Sequence, residues 1–172
     1  PPGTQRTPGE GRKNPALAGL LSAIVPGAGQ AYLGSNSAYA FLGVEVAAWT
    51  AHFSTKATGD AKEKEYKRYA DAHWTFDRYR DQNSGDCTVD GHSDGGVQDS
   101  TLVMLYNTRR NDWYEDIGKL SIYSCGWDSA TNRLKYRDMR HDSNAFLSHA
   151  RTATSVILLN HLVSALLAAR GA

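Results

Sequence analysis

The sequence predicts a mainly α, membrane-associated fold: an apolar helical hairpin, a small helical extramembrane insert and a long C-terminal transmembrane helix. Three observations carry it. Apolar residues gather at the two ends of the 172-residue chain, over residues 15–53 and 152–169, while residues 54–151 hold most of the charge. That segregation is the pattern of a membrane protein with an extramembrane insert. The small-residue turn Pro26-Gly27-Ala28-Gly29-Gln30 splits the first apolar stretch in two, and from Arg133 to Arg170 no Pro or Gly interrupts the chain.

In chain order, residues 1–14 (PPGTQRTPGEGRKN) form an extended arm without an apolar run. They are no signal peptide, and such composition needs a partner surface to order it. Residues 15–54 form the apolar hairpin. A spanning helix takes roughly 20 apolar residues at about 1.5 Å each. Pro15 to Val25 is too short alone, and through Pro26 to Leu33 a kinked or re-entrant segment is as well supported as a straight span. The run Ala38 to Phe53 is marginal in length and contains Glu45. Residues 55–135 form the polar, aromatic-rich insert. In it a helix is expected from about Gly59 to Asp81 with Asp60 as N-cap, and another capped by Asn111-Asp112. Asn83 to Ser100 reads as a loop.

Residues 136–172 form the last helix. Its length of roughly 50 Å exceeds the hydrocarbon thickness by roughly 20 Å, so its first half projects from the membrane and its second half spans. Arg151 marks the membrane entrance and Arg170 the exit, and Tyr136, Met139, Phe146 and Leu147 are expected to pack on the Tyr66 to Trp74 stripe. All-round hydrophobicity also fits a buried helix of a soluble bundle.

The polar residues inside the apolar runs are the candidate site. Glu45 lies near the middle of the second run and Asn160-His161 near the middle of the third. Ionisable groups in membrane helices turn toward protein and take a partner, which predicts an intramembrane contact of Glu45 with His161 or Asn160. Its structural reading is a clamp between helices; its functional reading is a proton pathway. Small residues, Gly19, Ala23, Gly27, Gly29, Ser164 and Ala168, are expected at close helix packings. Tyr32, Tyr39 and Trp49 would suit an interfacial belt.

In the insert, Tyr66, Tyr69 and Trp74 recur at helical spacing, and with Trp113 and Trp127 they are taken as partner-facing aromatics; packed inward, the same stripe would be a small core. Asp86, Asp90 and Asp94 with His92 lack the ligand order of a calcium loop, and the six histidines show no zinc spacing. No phosphate loop occurs, and the polar middle of the chain carries no convincing catalytic signature, so no enzyme, cofactor or metal site is expected. Nineteen basic and eighteen acidic residues are interspersed, giving a net charge of +1, without the basic stripe that nucleic acid requires. Cys87 and Cys125 are the only cysteines; outside the cytoplasm they would pair, and otherwise they are two free buried thiols.

Taken together, Lys13-Asn14-Pro15 with Pro26-Gly27-Ala28-Gly29-Gln30-Ala31-Tyr32, Trp113-Tyr114-Glu115-Asp116-Ile117-Gly118-Lys119, Gly126-Trp127-Asp128 and Asn160-His161-Leu162-Val163-Ser164-Ala165 resemble an exported bacterial membrane-protein family of unknown function. Its front half is similar to the two-transmembrane-helix domain. The resemblance covers about residues 13–170, with the loop from Asp86 to Asp99 as an insertion. It implies a removed signal sequence, with Pro1 as the new N-terminus, and an inner-membrane location with a periplasmic insert. It supplies no catalytic residues.

The resulting expectation is a non-catalytic accessory subunit that docks to a larger membrane complex, respiratory or photosynthetic, in the lipid bilayer. Pigment or quinone neighbours would come only through that host. The alternative is a small autonomous transporter or channel component using Glu45 and His161.

Overall fold

The computed structural model describes residues 13–83 and 99–171, of which 89% are helical, with no strand among them. The helices are α1 (Pro15–Ile24), α2 (Ala28–Leu33), α3 (Ser37–His73), α4 (Phe76–Asn83), α5 (Asp99–Thr108), α6 (Arg110–Lys119), a 3-10 helix (Ser121–Gly126) and α7 (Ala130–Arg170). The chain divides into two compact units, Pro1–Thr55 with His149–Ala172 and Lys56–Ser148. Cys87, Asp86, Asp90, His92 and Asp94 lie outside the described residues, as do residues 1–12.

In the first unit, Asn14 caps α1, its Oδ1 accepting from the amides of Ala16 at 2.9 Å and Leu17 at 3.3 Å, and Pro15 fills the first helical position. The apolar run to Leu33 is not one kinked helix but two helices with a turn between them. Val25 is extended, Pro26 donates no amide, and Gly27 has φ 94°, a left-handed value suited to glycine. At the far end of α2, Gly34 has φ 82°. There the amides of Gly34 and Ser35 bond to Ala31 O and Gln30 O at 2.9 and 2.8 Å, a Schellman closure. With ten residues, α1 is about 15 Å long, half a bilayer core.

The helix α3 corrects one expectation. It does not begin again at Asp60 but runs unbroken from Ser37 to His73. No Pro interrupts residues 52–60, and Lys56 and Asp60 pair along the helix at 2.7 Å. Gly59 marks a close packing rather than a break: a Cβ there would lie 2.7 Å from Leu147 Cδ2, and Ser143 Oγ donates to its carbonyl at 3.0 Å. The helix expected from Asn111-Asp112 begins at Arg110, with Asp112 in its first turn ion-paired to Arg109. Helix α7 begins six residues before the expected Tyr136, where Ser129 Oγ accepts from Asn132 N at 3.1 Å. Its 41 residues span about 60 Å, and it is long and apolar enough to cross a membrane.

The core of the second unit is aromatic: Tyr66, Trp74, Tyr79, Trp113, Tyr114, Trp127 and Tyr136, with Leu102, Leu105 and Ile117. Rings meet edge to face, as for Trp74 and Trp113 at 5.2 Å and Tyr66 and Tyr136 at 5.6 Å, a favoured arrangement. Met139 packs on this core, whereas Phe146 sits beneath Lys62 and Leu147 against Gly59, one to two turns before the aromatic stripe.

Candidate functional site: the polar interior of the first unit

The first unit inverts the usual distribution of side chains. Its buried residues are small or polar: Ala18, Ala48, Ala150, Ala153 and Ala168 with Ser22, Gln30, Asn160 and Ser164, and Ile157 as the one large apolar side chain in the described core. Its large apolar residues point outward, among them Leu20 at 60% exposure, Ile24 at 66% and Leu158 at 67%. Of the exposed large hydrophobic residues described, all but Met104, Tyr106, Leu120 and Leu134 belong to this unit.

Two polar clusters fill the interior. In one, Gln30 is held by three bonds: Ser22 Oγ donates to its Oε1 at 2.7 Å, Ser164 Oγ to the same oxygen at 3.1 Å, and its Nε2 donates to Ser164 O at 2.8 Å. The same hydroxyls accept backbone amides at the turn, Ser164 from Gly27 N and Ser22 from Gly29 N, both at 2.8 Å. The glycine turn therefore has its freed amides bonded by side chains, as an apolar setting requires. Close packing follows. A Cβ on Gly29 would lie 2.0 Å from Ala18 O and 2.7 Å from Ala168 Cβ, and one on Gly19 would lie 3.1 Å from Ala169 Cβ. Gly27 is equally confined, against Ala38 O at 2.6 Å.

The other cluster joins Glu45, Asn160 and His161. Glu45 Oε1 accepts from Trp49 Nε1 at 2.8 Å and lies 3.2 Å from His161 Nε2; its Oε2 accepts from Asn160 Nδ2 at 3.0 Å. Asn160 Nδ2 also reaches Phe41 O at 3.0 Å, and His161 Nδ1 lies 2.9 Å from Ala23 O. This group links α1, α3 and α7. Trp49 thus faces this carboxylate with its polar edge, while Tyr39 is 78% exposed. Further along α3 and α7, His52 Nδ1 lies 3.0 Å from both Ala150 O and Thr154 Oγ1.

Glu45, Asn160, His161 and the small residues are the sequence-predicted members of this interior, whereas Ser22 and Gln30 join it without having been expected there. Their signal was a hydroxyl and an amide flanking the glycine turn inside an apolar run.

In the second unit, the partner-facing aromatics need correction. Tyr66, Trp74, Trp113 and Trp127 are 8%, 3%, 2% and 3% exposed. The indoles of Trp74 and Trp127 donate inward to Tyr123 O at 3.0 Å and Ile117 O at 2.7 Å. The physical reason is composition: with few aliphatic residues in the insert, its rings supply the core. Tyr69 is half-buried, bonded to Asn132 Oδ1 at 2.7 Å and packed at a tilt against the His73 ring, 4.2 Å between centroids. Burial pushes the Tyr66 phenol up to about 12 and the deeper Tyr136 higher still, so neither is an acid or base near neutrality.

At its edge, His73 Nδ1 meets Asp128 Oδ2 at 2.7 Å while Asn132 Nδ2 donates to Asp128 Oδ1 at 2.8 Å. Burial alone would raise Asp128, but the bonds from His73 and Asn132 outweigh it and hold the carboxyl below its usual range. Cys125 is buried and disulfide-bonded; Cys87, the other cysteine, is outside the described residues. No group of metal-ligating side chains occurs among the described residues. The chain matches no protein-family model, curated protein or solved structure.

Proposed function

We propose that this chain is a non-catalytic accessory subunit whose first unit lies in a bilayer and whose second unit is a polar helical module displayed outside it. The inverted first unit carries this reading. In water each of its outward Leu, Ile, Val and Phe side chains would forgo part of the roughly 1.5–3 kcal/mol that full burial supplies, whereas hydrocarbon favours apolar outside and satisfied polar groups inside. The outward apolar face of α7 is also unlike a soluble core helix, which is covered on all sides. The polar groups favour a structural role: Glu45 and Gln30 each have fixed partners on neighbouring helices, which clamps the helices together.

In this reading the motif resemblance puts the first unit in a bacterial inner membrane and the second in the periplasm. The host is a larger membrane complex, respiratory or photosynthetic, and any pigment or quinone belongs to it. Mild-detergent purification of the tagged chain from its native membrane tests the assignment. Stoichiometric recovery of one large complex supports it. Recovery of a homo-oligomer with transport activity in liposomes replaces it with an autonomous transporter acting through Glu45 and His161.

A further inference from the structure

Both ring nitrogens of His161 face acceptors. Nδ1 lies 2.9 Å from Ala23 O, a carbonyl that has no proton to give, and Nε2 lies 3.2 Å from Glu45 Oε1. A neutral imidazole has one donor and one acceptor nitrogen, so with an ionised Glu45 it cannot satisfy both contacts. The pair therefore needs one proton more than neutral histidine and ionised glutamate supply. Trp49 Nε1 and Asn160 Nδ2 donate to the two oxygens of the same carboxyl at 2.8 and 3.0 Å, which favours its ionised form and puts the proton on the ring.

We propose that Glu45 and His161 form a proton-binding site, occupied at neutral pH as a carboxylate–imidazolium pair, that ties α1 to α3 and α7. Among the described residues no other ionisable side chain is hydrogen-bonded to the pair: α1 offers the Ala23 carbonyl and α7 the Asn160 amide. On α2, Tyr32 accepts from Asn14 N at the start of α1, and on α3 His52 is turned to Ala150 O. When the proton leaves at alkaline pH, the ring keeps one donor, so either the Ala23 or the Glu45 contact is given up. Acidification toward neutrality restores both. The inference stands on this geometry and holds whether the unit is covered by lipid or by protein.

The test is nitrogen NMR of the full chain in detergent with selectively labelled histidine, the His161 signals being assigned by their loss in His161→Gln. At about pH 7 both His161 nitrogens are expected to be protonated. In Glu45→Gln the amide can donate to Nε2, so the imidazolium signature is expected to be lost at the same pH. A neutral His161 ring in the wild-type chain overturns the proposal. So does an imidazolium that persists in a folded Glu45→Gln variant, because the proton is then held by something else. If Glu45→Gln does not fold, the wild-type spectrum alone decides.

Discussion

Replacing Ser164 with Ala tests how much the polar interior of the first unit contributes. Ser164 is fully buried; its hydroxyl accepts from Gly27 N at 2.8 Å and donates to Gln30 Oε1 at 3.1 Å. Ser164→Ala leaves the Gly27 amide unpaired inside the unit, at about 1–3 kcal/mol, and loses the bond to Gln30, about 0.5–1.5 kcal/mol. Alanine returns about 0.5 kcal/mol of helix propensity. The expected net loss is about 1–4 kcal/mol, or roughly a 5- to 900-fold fall in the folded-to-unfolded ratio. The assay is reversible unfolding of the full chain in mixed micelles, followed by helical circular dichroism. Ser155→Ala on the same helix is the control, because that hydroxyl is exposed and makes only a long 3.3 Å bond to Arg151 O; it is expected within about 0.5 kcal/mol of wild type. If Ser164→Ala unfolds like Ser155→Ala, the turn is not held by this network and the reasoning fails.

Other outcomes follow from the same geometry. Gly29→Ala drives a methyl into Ala18 O and is expected to cost about 1–3 kcal/mol, whereas a Cβ on Gly43 meets nothing within 4 Å and Gly43→Ala should gain about 0.5–1 kcal/mol; the same sign for both in that titration would contradict the packing. Because the Asp128 carboxyl is held below its usual range, its stabilising effect is complete above that range and is lost as pH falls through the lowered value. Near-ultraviolet circular dichroism against pH should therefore show an acid-side loss that Asp128→Asn weakens, and superimposable profiles would refute the assignment. The cysteines should resist alkylation until reduced. A bridge from Cys125 to Cys87 would close a loop of about 39 residues, worth about 4 kcal/mol in chain entropy, so an alkylated mass without reductant would rule it out.

The helical class and the pairing of Glu45 with Asn160 and His161 were legible in the sequence because a charged or amide side chain in an apolar run has few ways to be satisfied. The break at Pro26-Gly27 was legible as a disruption but not as two separate helices, since Gly27's left-handed backbone and its bond to Ser164 depend on a residue far along the chain. The unbroken α3 was missed because Asp60 is as good a cap residue as an ion-pair partner, and only tertiary packing against Leu147 makes Gly59 useful inside a helix. The direction of the insert's aromatic residues was misjudged for a related reason: helical spacing puts Tyr66, Ala70 and Trp74 on one face but does not say what covers it. Their cover comes from Trp113, Tyr114 and Tyr136.

The measurement that tests the membrane assignment most directly is photolabelling of the full chain in bilayers whose lipids carry a photoreactive acyl chain, with adducts mapped by mass spectrometry. Adducts are expected on the outward residues of the first unit, Leu20, Ile24, Leu158, Leu159 and Leu162, and none on the buried Ser22, Gln30 and Asn160 or on the second unit's core. Absence of adducts from those leucines, or equal labelling of Trp113 and Tyr136, would contradict the membrane assignment.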